Sequence, residues 1–407
     1  MKKKYFVRTI STDINELSKT FKVLLVTGPR QVGKTTLLKQ IIRDDMKTVD
    51  LSNVTDREFA KSDPKAFLEV YSPPVFIDEV QYAPSLFSYI RMLVDNSSEK
   101  GLIWMTGSQQ FELMEHVSDS LTGRIVIVEL QGFSIYERYE KGHLQKPFIP
   151  SMSPSKVLEH KNLRETFKII WQGSFPEVIS MDIKERRYFY ESYLQSYIQR
   201  DVRKIINIKN ETIFRTFIKT IAARTSQLLN YDDIAKDVGI SPNTVKQWIS
   251  ILRTSGLVYL LQPFSKNITK RLIKTPKLYF LDTGLAAHLS GWTTTESLET
   301  GVSAGAFFET FVVSEILKSY LHNGQQPEIY FYRDSDGKEI DLLIHQDNKY
   351  YPIEIKKSST PSLGDVSHIN TFANIQGIEV EFSSLICLSP DVQPLSKKVN
   401  ALSIWHI

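Results

Sequence analysis

Cysteine is nearly absent. The single thiol, Cys387, lies inside the apolar stretch Leu385–Leu388, which excludes an intramolecular disulfide and reads most simply as a core residue. No apolar run approaches the ~20 residues that a membrane-spanning helix requires. The N-terminal MKKKYFVR is basic but has no hydrophobic stretch behind it, so it does not read as a signal peptide. Excess charge is missing too: 50 Lys and Arg against 46 Asp and Glu leave a net +4, too mild to define a partner by itself. Together these absences lead to the expectation of a cytoplasmic protein with no membrane partner.

What is present exceeds one ordinary core. At 407 residues, 42% apolar and 24% charged, the composition is that of a globular chain of two to four domains. The most informative stretch is VLLVTGPRQVGKTTLL, from Val23 to Leu38. Its apolar run reads as a buried parallel strand, which breaks at Gly28 and resumes as a helix from Gly33. Between them G-x-x-x-x-G-K-T is complete. Glycines let backbone N–H groups fold around phosphate oxygens, and the helix N-terminus adds partial positive charge. Gly28, Pro29, Arg30, Gln31, Val32, Gly33, Lys34, Thr35 and Thr36 are therefore expected to cradle a nucleotide. Lys34 reaches the β- and γ-phosphates, and the Thr35 hydroxyl holds Mg²⁺.

A second strand, VFIDEV, delivers Asp78 and Glu79 at its C-terminal end. Phosphoryl transfer needs such a pair, one carboxylate to order Mg²⁺ and one to polarise the attacking water. A third strand, LIWMTGSQQ, ends in Thr106-Gly107-Ser108-Gln109, polar residues expected beside the γ-phosphate. A helical segment over 111–121 and a strand IVIVEL then flank Arg124. An arginine there either presents its charge to the nucleotide of a neighbouring subunit or pairs with a local carboxylate.

This order resembles an AAA+ ATPase. In detail, GPRQVGKTTL, VFIDEVQ, TGSQ and LTGRI look like the prokaryotic AAA family whose members carry a DUF4143-type domain at the C-terminus, and the resemblance continues through WQGSFPEV, YIQRDV, PKLYFLDTGLA and EIDLLI. It implies ATP and Mg²⁺ as cofactors, Ser108 as the γ-phosphate sensor and Arg124 as the arginine finger. It also implies a homo-oligomer, with a hexameric ring as one form.

Residues 141–161 are rich in Pro, Ser and Lys and read as a linker. Helical pattern follows to Thr225, with tyrosines among Arg and Lys that suit a packed lid helix with snorkelling arginines. From Leu228 the text changes to helix, turn, helix and strand. Gly239 suits the turn, Ser241 the cap and Pro242 the first helical turn. Val245, Trp248, Ile249 and Leu252 form a core face, leaving Asn243, Thr244, Lys246, Gln247 and Ser250 outward, residue types that touch bases and phosphates. From Ser241 to Leu281 there are seven Lys or Arg and no acid, clustered in SKNITKRLIK where a winged helix-turn-helix has its wing. The bias favours DNA as partner; protein docking is the alternative.

The last segment holds a second constellation. Glu309 aligns with Val313, Ile316 and Tyr320 on the apolar face of a helix, where an unpaired carboxylate costs several kcal/mol. GKEIDLLI places Asp341 in an apolar strand, and YYPIEIKKS puts Glu354 and Lys356 on one strand face, roughly 6.5 Å apart along the strand. Asp341, Glu354-Ile355-Lys356 and Glu309 resemble a PD-(D/E)xK nuclease site, although Ile340 stands where that family has Pro. The resemblance implies Mg²⁺ on Asp341 and Glu354, with Lys356 helping to activate water. The alternative is a buried salt-bridge network without chemistry.

The expected fold is an α/β multidomain chain. Residues 1–140 form a P-loop AAA+ parallel sheet and 141–225 a linker and helical lid. Residues 226–289 form a winged helix and 290–407 a nuclease-like α/β domain. The expected function is ATP hydrolysis coupled to DNA binding, with Mg²⁺-dependent cleavage at the C-terminus; the alternative is an ATP-switched DNA-binding or protein-docking regulator whose nuclease-like domain is inactive.

Overall fold

The structure is a computed structural model that describes residues 5–108, 121–155, 158–203, 211–265 and 275–407. Gln109, most of the helix expected over 111–121, and the wing lysines and arginine at 266, 270, 271 and 274 lie outside the described residues. The chain divides into two compact units. The first comprises 1–132 with 254–256 and 321–324; the second comprises 133–253, 257–320 and 325–407.

In the first unit, five strands form one sheet in the order β2-β3-β4-β1-β5, where β1 is Val23–Thr27, β2 Lys47–Asp50, β3 Val75–Asp78, β4 Ile103–Thr106 and β5 Ile125–Glu129. Every neighbouring pair is parallel. Val23, Leu25, Ile77, Ile103 and Met105 are buried against Phe67, Leu86 and Ile90 from flanking helices. Near-continuous apolar strands are what a sheet covered on both faces requires. All the C-terminal strand ends share one edge, so Thr27, Asp78 and Thr106 are brought together by the sheet alone.

The second unit contains α2 (Leu163–Gln172), α3 (Ile183–Tyr197), α4 (Glu211–Ala223), α5 (Tyr231–Val238), α6 (Pro242–Thr254), α7 (Thr283–Leu289) and α8 (Ala304–Leu321), α1 being the helix Lys34–Ile41 of the first unit. Its sheet has nine strands: β6 (Gln227–Leu228), β7 (Val258–Pro263), β8 (Lys277–Phe280), β9 (Ile329–Arg333), β10 (Glu339–Gln346), β11 (Lys349–Ile355), β12 (Ser383–Cys387), β13 (Gln393–Pro394) and β14 (Val399–Ser403). Their order is β13-β14-β12-β11-β10-β9-β7-β8-β6. The segment read as a winged helix and the C-terminal segment thus share one sheet, joined where β7 pairs parallel to β9 through Gln262 with Tyr330 and Pro263 with Phe331.

The helix-turn-helix signals hold locally. Gly239 takes a left-handed φ of 74° after α5, and the Ser241 hydroxyl accepts from the Thr244 N–H at 3.1 Å. Val245, Trp248, Ile249 and Leu252 are buried, whereas Asn243, Lys246, Gln247 and Ser250 are exposed. In α3, Tyr193 and Tyr197 are buried but Tyr188 is 66% exposed. Its Arg186 does not snorkel: the buried guanidinium lies 3.7 Å from the Trp171 ring and donates to the Gly284 carbonyl at 3.0 Å.

The motifs WQGSF and LDTG meet at Asp282. Its carboxylate accepts from the Ser174 N–H (2.6 Å), the Ser174 hydroxyl (2.8 Å), Tyr190 (3.0 Å) and the Leu285 N–H (2.6 Å). A Cβ on Gly284 would lie 2.3 Å from the Gln172 carbonyl oxygen, so no side chain fits there. These two stretches are packing devices that hold α2, α3 and α7 together.

Candidate functional site

β1 turns at Gly28, whose φ is 135° and whose added Cβ would lie 2.0 Å from the Leu130 carbonyl oxygen, so the turn needs glycine. Pro29 and Val32 are buried beneath the loop, Gln31 is exposed with φ 62°, and Gly33 with φ 93° starts α1. The Lys34 ammonium lies across the loop, donating to the carbonyls of Gly28 at 3.0 Å and Pro29 at 2.7 Å. It is 6% exposed. Thr36 faces outward.

The Thr35 hydroxyl donates to Asp78 Oδ1 at 2.9 Å, and Thr106 Oγ1 donates to the same oxygen. That hydroxyl also accepts from the Glu79 N–H at 3.0 Å, pinning Glu79 in a left-handed backbone with φ 57°. Gln81 then bridges two site groups, its amide donating to Glu79 Oε2 and, at 3.2 Å, to the Ser108 hydroxyl. Burial pushes the Asp78 carboxyl up from the ordinary range, and the two threonine hydroxyls pull it back. Thr35 and Asp78 offer adjoining hard oxygens, the donor chemistry Mg²⁺ takes. The structure therefore assembles the whole loop from Gly28 to Thr36 with Asp78, Glu79 and Ser108. Sequence reading missed Gln81, although its place two residues after Glu79 was the available signal.

Arg124 is not part of this assembly. It precedes β5, which runs parallel to β1, so it lies at the opposite sheet edge, about 17 Å away by strand rise. Its guanidinium pairs with Asp95, with Nη2 at 3.1 Å, and donates to the Thr122 carbonyl at 3.0 Å. That hydrogen bond holds the Asp95 carboxyl below its usual range.

The C-terminal constellation is also brought together, with an addition. Asp341 sits at a bulge in β10, where the register against β9 shifts between Ile340 and Leu343, and such a bulge re-aims a side chain. Its Oδ2 accepts from the Ile355 N–H at 2.9 Å and lies 3.7 Å from Lys356 Nζ. Lys356 also reaches Glu354 Oε2 at 3.4 Å. Glu309 accepts from Tyr279 at 2.7 Å and from Lys277 at 3.2 Å. Lys277 further contacts Glu339, and Asp341 at 3.7 Å. The charge bias from Ser241 to Leu281, read as favouring DNA, does not extend to this residue: Lys277 is buried in a strand paired on both sides.

Burial and the neighbouring Asp341 carboxylate push Glu354 up to about 9 and Glu309 up to about 7. Burial opposes the charge of Lys277, yet Glu309, Asp341 and Glu339 hold its proton well above the ordinary lysine range. Glu354 Oε1 is buried with no hydrogen-bond partner, and a cation would suit it. Among the described residues, however, no three His, Cys, Asp or Glu side chains are grouped to hold a metal ion. Metal chemistry suits the donors, but Lys277 already stands among them.

A buried parallel sheet, a glycine-turned phosphate loop and an Asp-Glu strand end define a P-loop ATPase. The comparisons agree: residues 20–139 match an AAA domain. Residues 163–296 match a domain of unknown function, DUF8612, and residues 304–407 another, DUF4143. Uncharacterized proteins of Mycobacterium bovis and Mycobacterium tuberculosis are each 28% identical over 343 residues, covering 84% of this chain and 71% of theirs. Among solved structures, the Thermotoga maritima RuvB Holliday junction branch migration motor is 15% identical, covering 62% of this chain and 89% of its own with a TM-score of 0.31. A Pyrococcus horikoshii signal transduction ATPase with numerous domains and a tetratricopeptide repeat sensor is 12% identical, covering 76% and 47% with a TM-score of 0.25. Superpositions this loose establish no shared architecture. Among the described residues no helix is long and apolar enough to cross a membrane.

Proposed function

We propose that the chain is an ATP-hydrolysing homo-oligomer that binds duplex DNA, with α6 as the reading helix. The observation that carries the DNA reading is the division of α6: Trp248 and its neighbours are buried while Asn243, Lys246, Gln247 and Ser250 stay exposed. The element order α4-β6-α5-α6-β7-β8, with β8 paired between β6 and β7, supports the winged-helix reading.

At the ATP site, Lys34 exchanges the carbonyls of Gly28 and Pro29 for the β- and γ-phosphates. Thr35 and Asp78 would hold Mg²⁺, which would supply positive charge against the phosphate oxygens. Glu79 orients the attacking water and takes its proton, and Ser108 donates to the γ-phosphate. Arg124 is too far from its own phosphate loop to act there, so its role is across a subunit interface, where an arginine stabilises the charge developing at the neighbour's γ-phosphate.

A second reading, Mg²⁺-dependent strand cleavage at Asp341, Glu354 and Lys356, draws support from the orphaned Glu354 Oε1 and is opposed by Lys277, whose ammonium already sits against Asp341 at 3.7 Å. One experiment addresses both readings. Labelled linear, circular and single-stranded DNA are incubated with the protein and Mg²⁺, with and without ATP. Binding that weakens in a Lys246→Ala, Gln247→Ala double variant supports the DNA reading; undiminished binding removes α6 from it. Cleavage lost in Glu354→Ala selects the nuclease, and binding without cleavage selects the inactive module. Lys34→Ala should lose nucleotide binding and Glu79→Gln should bind without hydrolysing; wild-type turnover in Glu79→Gln would remove Glu79 from the chemistry.

A further inference from the structure

Four carboxylates converge in the C-terminal cluster, yet their oxygens are not left for an ion. Lys277 Nζ lies 3.2 Å from Glu309 Oε1 and 3.7 Å from Asp341 Oδ1, and it also pairs with Glu339. Its side chain is 6% exposed. Two residues along β8, on the same strand face, the Tyr279 hydroxyl takes a second bond to Glu309 Oε1 at 2.7 Å. The lysine is carried by a strand hydrogen-bonded to β6 on one side and β7 on the other, and the Phe331 ring lies 5.7 Å from its ammonium. It is therefore fixed by the sheet rather than swung in from a loop.

A divalent ion asks for several oxygens at about 2.0–2.6 Å around one point. The point shared by Glu309, Glu339 and Asp341 is the point where the ammonium already sits. Among the described residues the one carboxylate oxygen buried without a hydrogen bond is Glu354 Oε1, on the Lys356 side of the cluster. One free oxygen does not make a metal site.

We propose that Lys277 is the resident cation of this cluster, standing where a divalent ion would bind, and that the cluster takes up no divalent ion while Lys277 is in place. The ammonium ties β8 to α8 and β10, doing with a covalently attached charge what nuclease-like sites do with a dissociable one. The proposal excludes Mg²⁺-dependent cleavage at Asp341 and Glu354, whereas DNA binding or ATP turnover can fail without touching it.

The test is Mn²⁺ titration of the full chain, followed by calorimetry and electron paramagnetic resonance, in an Asp78→Asn background that removes the ligand at the phosphate loop. No Mn²⁺ should bind up to millimolar concentration. Adding Lys277→Met should create one site, at least about tenfold tighter than any weak binding of the parent, and Asp341→Asn should abolish it. A site in the parent that disappears with Asp341→Asn would overturn the proposal, as would a folded Lys277→Met chain that gains no site. If Lys277→Met does not fold, the comparison of the parent with its Asp341→Asn derivative decides the matter alone.

Discussion

Thr106 is the least conspicuous residue of the ATP site and offers a clean perturbation of it. Fully buried at the end of β4, its hydroxyl donates to Asp78 and accepts from the Glu79 N–H at 3.0 Å. Thr106→Val keeps the shape and removes both bonds. The Glu79 N–H then lacks an acceptor in a half-buried place, which costs about 1 kcal/mol of local stability and frees a backbone held at φ 57°. Asp78 keeps only the Thr35 hydroxyl, at 2.9 Å. Groups that orient a metal-binding carboxylate typically contribute about 10–100-fold to activity, or ~1.4–2.7 kcal/mol in the barrier. Phosphate release at saturating ATP should therefore fall about 10–100-fold. Binding of a fluorescent ATP analogue without Mg²⁺ should be unchanged, because the loop and Lys34 do not use Thr106. Thr106→Ser, which keeps the hydroxyl, should recover most of the turnover. A Thr106→Val protein that hydrolyses ATP within about twofold of wild type would refute the reasoning, as would equal losses of metal-free binding and turnover.

Arg124→Ala removes a solvent-screened ion pair with Asp95 and a bond to the Thr122 carbonyl, so melting should hardly change while hydrolysis falls by roughly a thousandfold. Mixing it with Glu79→Gln protein should restore some turnover through mixed interfaces; a strictly monomeric, fully active protein would end the idea of action in trans. Gln81→Leu releases Glu79 and Ser108 together and should lower kcat about tenfold with KM nearly unchanged, a split that steady-state kinetics reads directly. For the C-terminal cluster, Glu354 is raised from an ordinary 4.5 to about 9, so the folded chain keeps a proton that the unfolded chain has already lost. Stability should fall as pH rises through that window, and Glu354→Gln should flatten the dependence of melting temperature on pH. A wild-type slope no steeper than that of Glu354→Gln would show that the proton is not held.

The ATP site was legible because its parts are local. Strand, phosphate loop and helix are contiguous from Val23 to Leu38, and Asp78, Glu79 and Ser108 each end an apolar strand that a parallel sheet must align. The nuclease-like set was also readable in part, since Glu354 and Lys356 share a strand and Asp341 stands alone among apolar residues. Lys277 was not. Counted by charge it joined the basic residues of a nucleic-acid surface, and nothing near it in sequence shows that β8 carries it to Glu309, Glu339 and Asp341. The buried pair of Glu315 and Lys318 was missed for the same reason, their partners being the Ile135 N–H and the Phe133 carbonyl from far upstream. Periodicity reports which face is buried, not which distant backbone group waits there.

The parallel pairing of β7 with β9 also bears on how the chain is made. The five-stranded sheet has all its strands by Glu129, so it can close while the rest of the polypeptide is still being synthesised. The second sheet cannot, since β7 lacks its β9 partner at Gln262 and Pro263 until residues from Ile329 onward emerge from the ribosome. An unpaired strand edge recruits other strands, so this interval of translation exposes the polypeptide to aggregation. Chains that stop short of Ile329 would keep that edge for their lifetime.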